Sequence, residues 1–315
     1  MIYSIDFETR STIDLTERGL DIYANDPSTE VLCIAYGSNQ NNVRVIDSVF
    51  TQNFPLLDHV RNGGKIQAWN AMFEYAIWNC VCVPKYGWPE LKLEQVIDSM
   101  AIAAANNVPQ SLDDAGSFMD SSHKKDPIGA KLIQKLCKPH KDGFNEDPEL
   151  MKQLFDYCAQ DVRTEMSIVA GLRPLSDDEQ AVWNLTQRIN LQGVPVAPIE
   201  LQNAVKAVSE AQASIDAECV ALTGFKPSER AKLLGWINRA LATIGHAPLD
   251  DLTEKTVSAM LVDTNLPQHI RRALELRQEG SQTSVAKYAK MMEIQREGKI
   301  RNTLVYHGAS TGRWA

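Results

Sequence analysis

Along the first 120 residues, short apolar runs rich in β-branched and aromatic residues alternate with polar turns. Beyond residue 175, apolar positions recur almost only at three- and four-residue spacing. Strands are predicted over 2–7, 30–36, 43–46 and 65–69, with Asn39-Gln40-Asn41-Asn42 as the turn between the second and third. Helices are predicted over 51–61, which Gly63-Gly64 ends, over 72–80, 96–105 and 112–119, and over a long stretch at 148–172. Residues 121–147 form a polar, basic excursion around a short helix. Pro174 marks the change of texture. After it 177–192, 198–222, 227–243, 254–261 and 267–297 read as helices, and Gly193-Val194-Pro195-Val196 separates the first two. Ser176 before Asp177, Asp178 and Glu179 has the composition of a helix start. A last strand is predicted over 301–307. The pattern therefore divides the chain into an α/β domain (1–174), a mostly α-helical region (175–300) and a short third segment (301–315).

The 315 residues are 44% hydrophobic and 23% charged, as in an ordinary globular protein. No apolar run is long enough to span a bilayer, and the first strand begins at Ile2, so no membrane partner or targeting segment is expected. Six cysteines are scattered without a C-x-x-C pair, which points to reduced thiols in a cytoplasm and away from a zinc ribbon or disulfide framework. The net charge of −8 argues at first against a nucleic-acid partner. Its distribution changes that. Residues 1–175 carry 16 basic and 24 acidic side chains, 176–315 carry 16 of each, and 271–315 carry nine basic against four acidic.

The acids of the first part hold the candidate chemistry. Side chains alternate along a strand, so in Asp6-Phe7-Glu8 the two carboxylates share one face and Phe7 takes the other. Like charges so close repel unless a divalent cation sits between them; a strand running out into solvent is the ordinary alternative. Asn70 suits a helix N-cap at a strand–helix junction, which places Glu74 in the first turns. An acid there also serves the helix dipole without further function. Tyr157 and Asp161, four apart, share a face of the long helix beside its apolar stripe. A buried aspartate needs a partner, which a cap, Arg163 or Lys152 would also supply.

Taken together and in this order, D-x-E, N-x-x-F-E and Y-x-x-x-D resemble the three motifs of the tyrosine-type DEDD 3′→5′ exonucleases. The resemblance implies a ribonuclease H-like domain, a mixed sheet flanked by helices. It also implies phosphodiester hydrolysis supported by two divalent ions, Mg²⁺ or Mn²⁺. On the resemblance, Asp6, Glu8 and Asp161 hold one ion, Asp6 also touches the second, and Glu74 helps to hold the second through water. Tyr157 orients the attacking water. The family's second motif usually ends in aspartate, whereas Glu74 is one methylene longer. Asp98, in Ile97-Asp98-Ser99-Met100, also resembles a family position and is read as a cap. Phe7, Asn70 and Phe73 are candidates to touch the strand end, the aromatic ones by stacking, and Trp69 is read as core. Lys124, Lys125, Lys131, Lys135, Lys138 and Lys141 either touch phosphates or form a solvated face.

The second half resembles family A DNA polymerases of the bacteriophage type. Ile189–Val196 is similar to the passage after their proofreading domain, Leu274-Glu275-Leu276-Arg277 and Lys287-Tyr288 to thumb helices, and TLVYHGASTGRWA to the T-G-R segment that leads into the palm. This implies a thumb-type region over 175–300 and the start of a truncated palm over 301–315, with no polymerisation expected from this chain alone. The implied partners are a single-stranded DNA 3′ end, primer-template DNA and a separate chain carrying palm and fingers. Arg277 and Lys287 would contact phosphates, and Arg313 would lie near the primer terminus. Residues 303–315, lacking their sheet neighbours, are expected to pack poorly. Two other readings stay open: an RNA-processing exonuclease of the same branch, and a catalytically silent DNA-holding scaffold.

Overall fold

In the computed structural model, all residues are described except 48–53, 121–127, 142, 282–284 and 310. The predicted starts of the helix at 51–61 and of the basic excursion, with Lys124 and Lys125, lie outside the described residues. The described chain forms two compact units, Met1–Pro195 together with Ile294–Ala315, and Val196–Glu293.

The first unit is built on a five-stranded mixed sheet of order β3-β2-β1-β4-β5. The strands are β1 (Ile2–Arg10), β2 (Glu30–Gly37), β3 (Arg44–Ile46), β4 (Lys65–Ala68) and β5 (Val96–Asp98). β1 is antiparallel to β2 and parallel to β4; β2–β3 is antiparallel and β4–β5 parallel. This is the helix-flanked mixed sheet expected of the ribonuclease H-like class. The alternation read from the sequence holds along β1. Ile5 and Phe7 enter a core with Trp78 and Trp88, while Asp6 and Glu8 stand on the opposite face, paired in register with Ala35 and Cys33 of β2. A register shift between Glu8 and Thr9 ends that parity just after the second acid.

Ten described helices surround the sheet: α1 (Leu15–Arg18), α2 (Leu20–Asn25), α3 (Pro55–Arg61), α4 (Met72–Ile77), α5 (Val83–Tyr86), α6 (Ser99–Ala105), α7 (Leu112–Phe118), α8 (Gly129–Leu136), α9 (Pro148–Val169) and α10 (Asp177–Gln192). α4 and α5 are joined by a π-helical turn, Trp78–Cys82, which inserts Trp78 into an aromatic cluster. Its ring centroid lies 4.6 Å from Trp88 and 6.4 Å from Phe7. α9 starts at Pro148 behind Asp147, whose carboxylate accepts from the N–H groups of Glu149 and Leu150. Its buried stripe includes Leu154, Tyr157, Cys158, Asp161, Val162, Glu165 and Ile168. Cys158, Ala159 and Val162 pack on Cys33 and Ala35 of the sheet.

The second unit contains α11 (Pro198–Thr223), α12 (Arg230–Ala242), α13 (Glu254–Leu261) and α14 (Gln268–Glu279), and most of α15 (Ala286–Ile294). Its core joins Cys219, Leu233, Ile237, Leu241, Ile270 and Leu274.

Three expectations are corrected. Val96–Asp98 is the fifth strand and only Ser99–Ala105 is helical; the first three residues pair with Ile66, Gln67 and Ala68 of β4. The stretch 267–297 is two helices. The segment after residue 300 is not a strand; as expected it packs poorly, Tyr306 being the one buried residue among those described, yet hydrogen bonds hold it. β7 (Lys299–Ile300) pairs with β6 (Val194–Pro195), and the chain then docks on the first unit through polar side chains. Asn190 exchanges two hydrogen bonds with Leu304, Tyr306 donates to Glu179 at 2.5 Å, Gln110 donates to the His307 carbonyl, and Trp314 donates to Thr186. Val305 and Ala315 pair through their backbones. Gly193 makes the turn possible: its φ is +73° and a Cβ there would stand 2.9 Å from the Ile300 carbonyl oxygen.

At the root of this returning segment, Asp21 receives Arg296 in a bidentate pair, both bonds 2.9 Å, and Arg301 at 3.0 Å. Asp21 and Arg301 are largely buried. Asp21→Asn leaves two guanidinium groups facing a neutral amide. The expected cost is about 2 kcal/mol, less than for a fully buried pair because Arg296 keeps some water. Hydrogen-exchange mass spectrometry checks this: exchange over 296–306 should speed up, and an unchanged profile rejects the clamp.

Candidate active site

The face of β1 that carries Asp6 and Glu8 opens into a cleft of about 760 Å³. Asp6, Glu8, Glu74, Tyr157 and Asp161 all line it, brought from β1, α4 and α9. Phe73 and Asn70 line it at the α4 end; Ile133, Cys137 and Lys138 line it on the side of α8. The ligand atoms of Asp6, Glu8 and Cys158 lie within 4.8 Å of one another. The Cys158 thiol donates to the Asp6 main-chain carbonyl at 3.4 Å, which ties α9 to β1 directly behind the two acids.

This is an expensive concentration of negative charge. Glu8, Glu74 and Asp161 are buried and Asp6 is half-buried. Glu74 is 3% exposed, and its Oε2 has no hydrogen-bond partner among the described residues. Burial, and then the charge of Asp6, push its carboxyl well above the usual range. Lys138 is the one cationic side chain among the described lining residues, and it is spent on Asp14 at 2.9 Å. The donor set is mainly carboxylate oxygen, with an orphaned buried oxygen at Glu74. Such a set suits a hard divalent cation such as Mg²⁺ or Mn²⁺. The Tyr157 hydroxyl is hydrogen-bonded to Asp161 and is held far above its ordinary pKa by burial and by that acid. The phenol is therefore protonated at neutral pH.

Two buried acids behind the cleft complete the electrostatics. Glu165, one helical turn after Asp161, accepts from the Ser99 hydroxyl at 2.5 Å, and burial pushes its carboxyl up to about 8. Asp98 caps α6 by accepting from Met100 and Ala101 N–H, as its sequence context indicates, and its other oxygen accepts from Trp183 Nε1. Burial raises it to about 6. Glu165 was not singled out from the sequence, although its i+4 spacing from Asp161 is the signal that finds it.

Other residues fall elsewhere. Asn70 is not the N-cap of α4. It adopts φ +61°, which asparagine tolerates, and Ala71 takes the cap position without a side-chain bond. Phe7 is 4% exposed against Trp78 and Trp88, so its ring is committed to the core; Phe73, half-buried beside Tyr23 at 6.3 Å, lines the cleft together with Tyr23 and Tyr157. Trp69 packs as core and donates to Gln110. Arg277 is buried within α14, and burial disfavours its charge, so it does not present a guanidinium to solvent for a phosphate. Lys287 and Arg313 are exposed.

No family model matches the chain. It is 31% identical, over 331 residues, to the DNA polymerase of Bacillus phage SP02, an alignment that covers 99% of this chain and 49% of that protein. The chain thus spans about half the length of that relative. Among solved structures it resembles the POL domain of Pol1 from M. smegmatis in complex with DNA primer-template and dNTP. The TM-score is 0.51 at 12% sequence identity, over 99% of this chain and 50% of the other. At that identity the second likeness concerns the fold. The first relates the chain to DNA polymerases. No described helix is long and apolar enough to cross a membrane.

The raised acids set a pH dependence. The folded state binds protons that the unfolded chain releases, from about pH 4 up to the folded values near 6 for Asp98 and 8 for Glu165. Stability in chelator should therefore fall as pH rises from about 5 to 8. Glu165→Gln should flatten the upper part of the profile and stabilise the protein at pH 8, and Mn²⁺ should offset the loss in the parent. Melting temperature against pH measures it; a flat profile in chelator would contradict the buried-acid account.

Proposed function

We propose that the chain is the 3′→5′ proofreading exonuclease portion of a family A DNA polymerase of the bacteriophage type, with a thumb-type helical region after it. The observation that carries the reading is the convergence of Asp6, Glu8, Glu74, Tyr157 and Asp161, from three distant segments, on one cleft. The likeness to a phage DNA polymerase supports DNA as the substrate. On this reading the modules are 1–174, 175–300 and 301–315, and the last begins a palm.

Divalent ions, when bound, would neutralise the phosphate and activate a water for in-line attack. Asp6, Glu8 and Asp161 would hold them directly, and Glu74 would help through water. Tyr157 donates its proton to Asp161, so its phenol oxygen keeps lone pairs with which to accept a hydrogen bond from the attacking water. Its raised pKa suits orientation and not proton abstraction. Phe73 offers a ring for the terminal base, a contact indifferent to sequence. Lys138, at the cleft wall, can exchange Asp14 for a backbone phosphate.

The test is digestion of a 5′-labelled single-stranded DNA with Mg²⁺ or Mn²⁺. A ladder shortening from the 3′ end is expected, abolished by chelator and slower on RNA of the same sequence. Asp161→Ala should reduce the rate at least ~100-fold, since removing a mere supporting partner of a metal ligand costs 10–100-fold. An intact, folded protein that leaves the DNA untouched with either ion would refute catalysis by this chain and favour a silent scaffold.

A further inference from the structure

α8 lies directly against the ring of Tyr157. Gly129 is buried at its first position, and a Cβ there would stand 2.2 Å from Tyr157 Cε2, 2.5 Å from Cζ and 2.9 Å from Cδ2. Cζ is the carbon that bears the hydroxyl. No atom heavier than hydrogen fits between the α8 backbone and the phenol. Gly129 is not among the residues with positive φ, so its conformation does not call for glycine; the space does.

The ring is closed in on its leucine side and open toward the cleft that it lines. Tyr157 is 4% exposed and packs among Leu32, Leu132, Leu136 and Leu154, and its hydroxyl is tied to Asp161. Two of those leucines belong to α8 itself, so the helix that touches the ring also encloses it. An interior packed this closely answers an added methyl by moving whatever is least held.

We propose that Gly129 is a positioning residue for the nucleolytic reaction: its bare backbone is the wall that sets where the Tyr157 hydroxyl stands over the acids. The inference rests on the nuclease reading above. A side chain at residue 129 drives the phenol away from Asp161, and a misplacement of about 1 Å at a reacting centre costs on the order of 10²-fold in rate.

The experiment compares Gly129→Ala, Tyr157→Phe, the double variant and Ala130→Gly, an exposed control on the same helix. Expected for Gly129→Ala are a kcat on single-stranded DNA lower by roughly 10²-fold, a KM within a few-fold of the parent, and a melting temperature unchanged or raised. The double variant should be no slower than Tyr157→Phe alone, because the substitution acts only through the hydroxyl. In protein labelled with 3-fluorotyrosine, the ¹⁹F resonance of Tyr157, identified by its loss in Tyr157→Phe, should move in Gly129→Ala and stay in Ala130→Gly. An unmoved resonance means that α8 yielded and the ring did not, which overturns the proposal. So does a moved resonance with parental kcat, or additive losses in the double variant. Loss of the fold overturns it as well, since the contact would then serve stability. Absence of hydrolysis by the parent overturns the nuclease reading and the positioning role with it; the ¹⁹F shift, still present, tells that case from a wrong account of the contact.

Discussion

Repulsion among carboxylates that share one poorly hydrated site is the constraint around which the first unit is arranged. Asp6, Glu8, Glu74 and Asp161 line the cleft, with Glu165 and Asp98 buried behind it. Unit charges a few ångströms apart in such a setting interact by several kcal/mol. A fold that tolerates this must supply rigidity from elsewhere. It does so by putting three of the four cleft acids on the middle strand β1 and the buried face of α9, and by fastening those two together through the Cys158 thiol and the Asp6 carbonyl. The opposite face of β1 is held by Phe7, Trp78 and Trp88, where truncating one large aromatic side chain typically costs 3–5 kcal/mol. Apolar stability on one side of the strand offsets electrostatic strain on the other.

The same logic explains why the buried acids differ in fate. Asp98 has three backbone N–H donors and an indole N–H, so it is solvated by protein and its pKa rises only to about 6. Glu165 has fewer donors and rises to about 8. Glu74 keeps one oxygen with no donor among the described residues, and burial and the charge of Asp6 push it well above the usual range. The difference between Asp98 and Glu165 follows the number of hydrogen bonds to each carboxylate. Asp98 and Glu165, behind the cleft, are solvated by protein donors, whereas Glu74 lines it.

Much of this was legible in the sequence because it depends on short periods. Parity along a strand placed Asp6 and Glu8 together and Phe7 opposite, and a spacing of four placed Tyr157 beside Asp161. What stayed hidden depends on tertiary partners. Val96-Ile97-Asp98 is too short a run to read as a strand, although Asp98 marks a cap; pairing with β4 makes it one. Asn70 has the composition of a cap, yet the chain must turn sharply from β4 into α4, and asparagine takes the left-handed conformation there instead. The segment after Ile300 reads as a strand without a sheet. It finds its partners in side chains of α10, spaced along one helix face at Glu179, Thr186 and Asn190, a complementarity that no single-segment pattern encodes.

On the nuclease reading, charge also dictates an order of events. The residues 1–175 carry an excess of eight acidic side chains, and the cleft holds no uncommitted cation among its described lining residues. A DNA phosphate approaching that surface meets repulsion that salt only partly screens. The carboxylates must therefore be neutralised before the strand end can enter, and a site whose acids are already crowded gains most from neutralisation. On that reading Phe73, which lines the cleft, would stack an unpaired base at the strand end, a contact that charge does not supply.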